Sequence, residues 1–434
     1  SIYSLNFTTV FTLKETLVDY FLGLSADQAN LTAATDEAMW TMTQSQIEAS
    51  KNNPKSFFLP EIHTWDNAYA AIELIDKGLA YINNGMLTDV QGLTSAELYF
   101  LEAYLYFELF RAYGGVVPVL SDFPTPTTND EMVDIITKLG EIRINSNTTP
   151  SSKTIELVHG IEMIRPTKWA AYALLGRLYL YYASPLFSST SDQSKWAKAL
   201  TYLDAVINSR EAALQGSYEG IWRAWGEDNK EILFGVHIKT KDNAYEGLHP
   251  TQSIVDQYGD DSGKKTFGME YPNNDIPLYE WEQSPYNFIK DHRFEVTIQT
   301  PSSTAGYSLV KSVAHIMPII RYGEVLLNCA EAYFNTGNNA KAYEYVNKIR
   351  QRAGFASIPI LNDIKDIKQE RLIELAFEGH RFWDVRRWKQ GEDCFGTINA
   401  AVVTEQNEGP LLLTRTPIKR TWIEKYNFYP VSRK

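Results

Sequence analysis

Residues 321–354, RYGEVLLNCAEAYFNTGNNAKAYEYVNKIRQRAG, carry small and apolar side chains at a helical period on both sides of a Gly337-Asn338-Asn339 turn. In the second half, Ala342, Val346, Ile349 and Ala353 recur at i, i+4, i+7 and i+11, which places them on one helix face. Gly354 follows as a left-handed stop. Two antiparallel helices within about 34 residues, with alanine, tyrosine and leucine at the crossing points, read as a tetratricopeptide-like unit. Such a unit buries its apolar face only against neighbours of the same kind, so it constrains the whole chain to a helical stack.

The rest of the chain agrees. Ala68, Ile72, Ile75, Leu79 and Ile82 form one helical face, stopped by Asn83-Asn84-Gly85. Trp65 opens that helix and Asp66 reads as its N-cap. The segment 95–115 is apolar nearly all round, which predicts a buried helix ending at Gly114-Gly115. Pro166-Thr167 is a stop-and-cap signal for the next helix, whose partner is KWAKALTYLDAVINS, residues 195–209. A Pro/Thr-rich connector at 121–130 precedes another helix in DEMVDIITKL.

The expected architecture is therefore one mainly α domain over residues 1–434. Tetratricopeptide-like helix pairs at 60–210 and 315–395 would form its scaffold. The span 215–315 departs from helical periodicity. EILFGVHI (231–238) and RFEVTIQT (293–300) read as short strands among abundant Gly, Pro, Asn and Asp, so this is a loop-rich insert with minor β-structure.

A net charge of −12 argues against nucleic-acid binding, which needs basic surface. Cys329 and Cys394 support neither a disulfide framework nor a CxxC metal site, and Cys329 falls on an apolar helical face as a core thiol. No apolar run reaches the ~18 residues that a membrane span requires. The opening SIYSLNFTTVF lacks a basic and an apolar signal region, so an export signal is expected to have been removed. The seven histidines show no zinc spacing, and no nucleophile elbow or Walker loop is present. DQYGDDSG (256–263) offers calcium-friendly oxygens without the alternating order of a calcium loop; it reads as a polar turn, with calcium the lesser reading. No other cofactor and no catalytic residue is expected.

ELAFEGHRFWDVRRW (374–388) mixes acids, a histidine and arginines as an acid–base site would. Glu370, Glu374 and Glu378 recur at i+4, however, with Arg371, Arg381, Arg386 and Arg387 near enough in sequence to pair with them. Gly379 ends the helix and puts His380 and Arg381 near its negative end, where cations are favoured. Carboxylates along one helix do not make the facing pair that glycoside hydrolysis needs. The stretch reads as an ion-paired clasp.

Of the chain, 13% is aromatic, and the rings that stand in polar loops lack an obvious core face. FGMEYPNNDIPLYEWEQSPYNF (267–288) sets Tyr271, Tyr279, Trp281 and Tyr286 among Asn273, Asn287 and other amides and acids. A pyranose packs its C–H face on a ring and needs amide or carboxylate partners for its hydroxyls, and this segment supplies both. Trp40, beside Asp36, Glu37 and Gln44, and Trp225 in GSYEGIWRAWGEDNKE are further candidates for ligand binding.

The helix pair at 321–354 followed by ERLIELAFEGHRFWDVRRW closely resembles the C-terminal signature of the SusD/RagB family. LYFLEAYLYFELFRAYGGVVPVL, PTKWAAYALLGRLYL, EILFGV, TQSIVDQYGDDSG, FIKDHRFEVTI and YNFYPV match further family pieces in order, between about residues 60 and 431. The resemblance implies a surface-exposed, lipid-anchored outer-membrane protein that is not an enzyme. It would capture oligosaccharide, or in some members oligopeptide, for a SusC-like TonB-dependent transporter. It also implies that Trp222 packs inward and leaves Trp225 freer. The family's lipid-bearing cysteine is not in this chain, so membrane contact through an N-terminal anchor is an expectation from the resemblance. A helical glycoside hydrolase is the remaining alternative.

Overall fold

The computed structural model describes residues 12–33, 64–116, 126–158, 160–188, 192–238, 293, 316–360, 363–376, 378–394, 397–404, 412–419 and 421–430. Its longer helices are α1 (Leu13–Ala33), α2 (Thr64–Asn83), α3 (Ser95–Tyr113), α4 (Asn129–Asn145), α5 (Lys168–Ala183), α6 (Gln193–Ser209), α7 (Tyr322–Asn335), α8 (Asn339–Arg352), α9 (Lys365–Glu374) and α10 (Arg381–Arg387). From α1 to α8 each helix packs on the next in chain order, the stacked arrangement that the helix-pair pattern predicts.

Threonine caps set several of the helix starts. Thr94 Oγ1 accepts from the Glu97 N–H while the Glu97 carboxylate accepts from the Thr94 N–H, a reciprocal box that recurs at Thr128 and Glu131. Thr167 caps α5 by accepting from the Ala170 N–H. Asp66 is not a cap: α2 already begins at Thr64, so Asp66 lies in its first turn, where a carboxylate favours the helix dipole. Helix α3 is buried on every side, as its apolar sequence requires. Ala342, Val346, Ile349, Ala353 and Cys329 all lie in the core. Close helix crossings explain two interior glycines. A Cβ at Gly140 of α4 would stand 2.8 Å from Leu175 of α5, and one at Gly176 of α5 would collide with Leu203 of α6.

A four-stranded antiparallel sheet runs in the order β1 (Thr154–Glu156), β2 (Ile161–Ile164), β3 (Ile232–Ile238), β4 (Ile316–Arg321). Glu162 lies opposite His237, which in turn lies opposite Ile316. Phe234 of β3 drives the sheet into the helices, its ring centroid 5.0 Å from Phe100 and 5.4 Å from Tyr104. A separate hairpin pairs β5 (Thr397–Thr404) with β6 (Leu412–Lys419). The strand expected at 231–238 is therefore present, but its partners lie outside the expected insert, at 154–164 and 316–321. Of the second expected strand, Arg293 is described, and it is helical; residues 294–300 lie outside the described residues. Because β3 and β4 pair, with His237 opposite Ile316, the end of β3 and the start of β4 lie side by side.

One feature of the helical core should set its pH response. Glu102 of α3 is buried; loss of solvent, reinforced by the nearby Asp76 carboxylate, pushes its carboxyl up to about 8. Asp76 of α2 is itself raised to about 6, by burial and by Glu73. A carboxyl that holds its proton more tightly when folded stabilises the fold below its unfolded pKa and loses that contribution as pH rises toward its folded value. Chain stability should therefore decline between about pH 5 and pH 8. Glu102→Gln should flatten that decline and raise stability at pH 8 by on the order of 3 kcal/mol, measured by urea melts across the pH range.

Candidate functional site

The acid–histidine–arginine stretch is buried and ion-paired. Glu374, the last residue of α9, is fully buried. Its carboxylate accepts from Arg321 Nη1 at 2.8 Å, from Arg293 Nη1 at 3.0 Å and from Arg352 Nη2. Its main-chain carbonyl accepts from Arg321 Nη2 at 2.6 Å and from the Tyr218 hydroxyl at 3.1 Å. Despite burial, which favours the neutral form, the guanidiniums of Arg352, Arg321 and Arg293 hold the Glu374 carboxyl well below the usual range. Glu378 takes a two-point contact from Arg321, Nε at 2.6 Å and Nη2 at 2.9 Å. Glu231, just before β3, accepts from Arg321 at 2.8 Å and Arg352 at 3.0 Å. Glu370 accepts from Arg293 at 2.7 Å and Arg350 at 3.3 Å. Carboxylates and guanidiniums thus alternate in a closed, charge-balanced cluster.

A second cluster adjoins it. Arg371 donates from Nε to Asp384 at 2.6 Å and from Nη1 to Asn328 at 2.6 Å. Arg387 grips Glu331 with two bonds of 2.7 Å and also reaches Asp384 at 2.9 Å. Arg177 pairs with Glu324 through Nε at 2.7 Å and through Nη2. Arg386 stands apart from these pairs. It lies within 6.0 Å of the Phe382, Trp383, Phe428 and Tyr429 ring centroids and donates to the Asn427 and Ala112 carbonyls. Burial, together with Arg111, lowers it to about 10, so it remains a cation at neutral pH.

The ion-paired clasp expected for this stretch is present, but its partners differ. Helix α9 ends at Glu374 and not at Gly379, so Glu378 reaches Arg321 from the turn beyond it. Arg371 and Arg387 serve Asp384, Glu331 and Asn328, while Glu370, Glu374 and Glu378 are served by arginines distant in sequence. The reason is angular: adjacent residues on a helix point about 100° apart, so Glu370 and Arg371 face different neighbours. His380 is also not a cation. Burial, with Arg371 and Arg177 close by, drives its pKa well below the usual histidine value. Arg293 and Glu231 were missed because each stands in a stretch that reads as a strand; the surplus of aligned carboxylates was the signal that distant arginines were needed.

Of the ring and amide candidates, Trp225 lies within the described residues. It is half-buried, its indole N–H donates to Glu162 at 3.1 Å, and its ring centroid stands 5.0 Å from that of His237. The ring is thus tied to the sheet through the facing pair Glu162 and His237. Trp222 is buried, as the family resemblance implied. Trp40, Tyr271, Asn273, Tyr279, Trp281, Tyr286 and Asn287, and the possible calcium loop at 256–263, lie outside the described residues. The structure does describe a tie to that insert: Arg293, between β3 and β4, is fully buried against Glu370 and Glu374.

A family model described as the SusD family matches residues 311–431, and a second, described as starch-binding and associating with the outer membrane, matches residues 23–180. Two SusD-like proteins of Formosa agariphila are each 24% identical to the chain. One alignment covers 76% of this chain and 72% of the relative, the other 77% and 74%. Among solved structures, a SusD-like protein of Bacteroides fragilis aligns with a TM-score of 0.64 at 23% identity, covering 97% of this chain and 95% of its own. Surface glycan-binding protein A of Bacteroides uniformis aligns with a TM-score of 0.64 at 20% identity, covering 97% and 96%. These structural likenesses carry the tetratricopeptide-like helical fold. Among the described residues, no helix is long and apolar enough to cross a membrane.

Neutralising Glu374 would leave three buried guanidiniums short of a partner. Glu374→Gln should therefore lower unfolding free energy by about 3–5 kcal/mol in urea denaturation.

Proposed function

This chain belongs to the SusD family, and from that premise we propose that it captures oligosaccharide at the outer membrane without catalysis and delivers it to a partner TonB-dependent transporter. The observation that carries this reading is the pair of family matches at the two ends of the chain, one described as starch-binding and outer-membrane-associated. A surface glycan-binding protein of the same fold supports it. Attachment to the membrane would be through a lipid on an N-terminal cysteine.

The non-catalytic part has a chemical basis as well. The clustered carboxylates that would suggest hydrolysis are held by arginines and closed off from solvent. Glycoside hydrolysis needs one carboxyl free to give up a proton across a gap from another. Glu374, held strongly ionised by its arginines, cannot be the proton donor.

Ligand contact would be made by Tyr271, Tyr279, Trp281 and Tyr286, with Asn273 and Asn287 orienting hydroxyls, and with Trp40 and Trp225 as further rings. In this reading Arg293 is a positioning residue. It would fix the ring-bearing insert to the scaffold through Glu370 and Glu374. A shallow stacking site of this kind should bind with a Kd on the order of micromolar to millimolar.

Titration calorimetry against a panel of neutral oligosaccharides and short peptides tests the proposal. Glycan binding that is lost in Trp281→Ala or Trp40→Ala is the expected result. Binding of peptides alone would replace the ligand class, and release of reducing sugar from any glycan would sink the non-catalytic reading. Arg293→Met should weaken glycan binding by about ten-fold or more while the helical circular dichroism of the scaffold is kept, because Glu370 retains Arg350 and Glu374 retains Arg321 and Arg352.

A further inference from the structure

A cleft of about 390 Å³ opens where the segment before β1, the start of α5 and the start of β3 meet. That volume is within the range of small-ligand sites. Ile164, Ile232 and the half-buried indole of Trp169 form its apolar lining. Tyr172 stacks on the indole at 5.6 Å and 23°, and Lys168 Nζ stands 4.7 Å from the ring centroid, so the ring is held in a set orientation. Its Nε1–H makes no hydrogen bond among the described residues.

The polar groups of the cleft fall into two kinds. Lys153 and Arg165 are already engaged. Lys153 Nζ donates to the Gly226 and Asn229 carbonyls at 2.7 Å, and Arg165 donates to Glu97 and to the Gly92 carbonyl. Glu211, Glu227 and Lys230 are exposed at the cleft, and their side chains make no ion pair or hydrogen bond among the described residues. Besides the Thr149 and Ser151 hydroxyls, which can donate or accept, the free groups are thus two acceptor-only carboxylates, one donor-only ammonium and one indole N–H. A bound anion would face Glu211 and Glu227; a bound cation would face Lys230 and the half-buried Lys153. A hydroxyl both accepts and donates, so an uncharged polyol matches all four groups, while its C–H face suits the apolar lining.

We propose that this cleft is a second carbohydrate-binding site, taking part of a neutral oligosaccharide against Trp169, with Glu211, Glu227 and Lys230 fixing its hydroxyls. The proposal rests on the glycan-capture reading above and places a binding site on the scaffold itself, apart from the insert residues assigned there. A second contact on the same glycan would raise residence through effective concentration.

The test uses the full chain labelled with 5-fluorotryptophan, observed by fluorine NMR while maltoheptaose, cellohexaose and xylohexaose are titrated in turn. Trp169, Trp281 and Trp40 are assigned by single replacement with Phe. The expected result is a saturable shift of the Trp169 resonance, with the apparent Kd read from that resonance weakened about ten-fold in Glu227→Gln/Lys230→Ala. A Trp169 resonance that stays fixed while Trp281 or Trp40 moves overturns the second site and leaves the proposed function standing. Resonances that all stay fixed overturn both. A Trp169 shift that the double variant leaves unweakened overturns the assigned cleft.

Discussion

The contact between Arg321 and Glu374 is the constraint on which the rest of the structure depends. Arg321 ends β4 and is the residue from which α7 starts, while Glu374 ends α9. Their bond therefore fixes the sheet, the C-terminal helix pair and the signature stretch relative to one another at a single point. Arg293 brings the chain between β3 and β4 to the same carboxylate, and Arg352 brings the end of α8. A guanidinium stripped of water costs several kcal/mol unless its hydrogen bonds are replaced. A shift in any one of these elements would leave a buried charge without its partner.

That cost bears on what the clasp is for. Buried ion pairs often contribute little net stability compared with apolar packing of the same volume, but breaking one is expensive. The apolar core between α1 and α8 supplies the bulk of the favourable burial, and apolar contact is non-directional. Contacts of that kind tolerate slippage. The directional fork of each arginine does not, because two parallel hydrogen bonds to a carboxylate admit one orientation. The core accounts for the stack, and the clasp accounts for its register and for the attachment of the insert.

The helices were legible because their signal is local and repeated. Pro166-Thr167 announces the start of α5, and the face of Ala342, Val346, Ile349 and Ala353 announces its own burial. The sheet was legible only at β3. Strands β1 and β2 are three and four residues long, too short for alternation to register, and β4 reads as the approach to a helix. The clasp was recognisable from the i+4 run of glutamates, yet the partners suggested by nearness in sequence, Arg371 and Arg387, proved to serve other acids. The cleft at Trp169 left no motif at all, because its lining comes from separate segments that the helix and sheet packing brings together.

The sequence by itself specified the helical stack, showed the signature stretch as an ion-paired clasp, and carried the motifs of the family resemblance. The stack and the clasp follow from short-range spacing, which periodicity reports directly, while the resemblance follows from the order of the motifs along the chain. Only the tertiary structure decided which arginine meets which carboxylate, that His380 is held neutral, that Trp225 is bound to Glu162, and where a cleft remains. Those outcomes depend on the angle at which each side chain leaves its helix or strand and on what lies opposite, and contacts such as Arg293 to Glu374 join residues 81 positions apart.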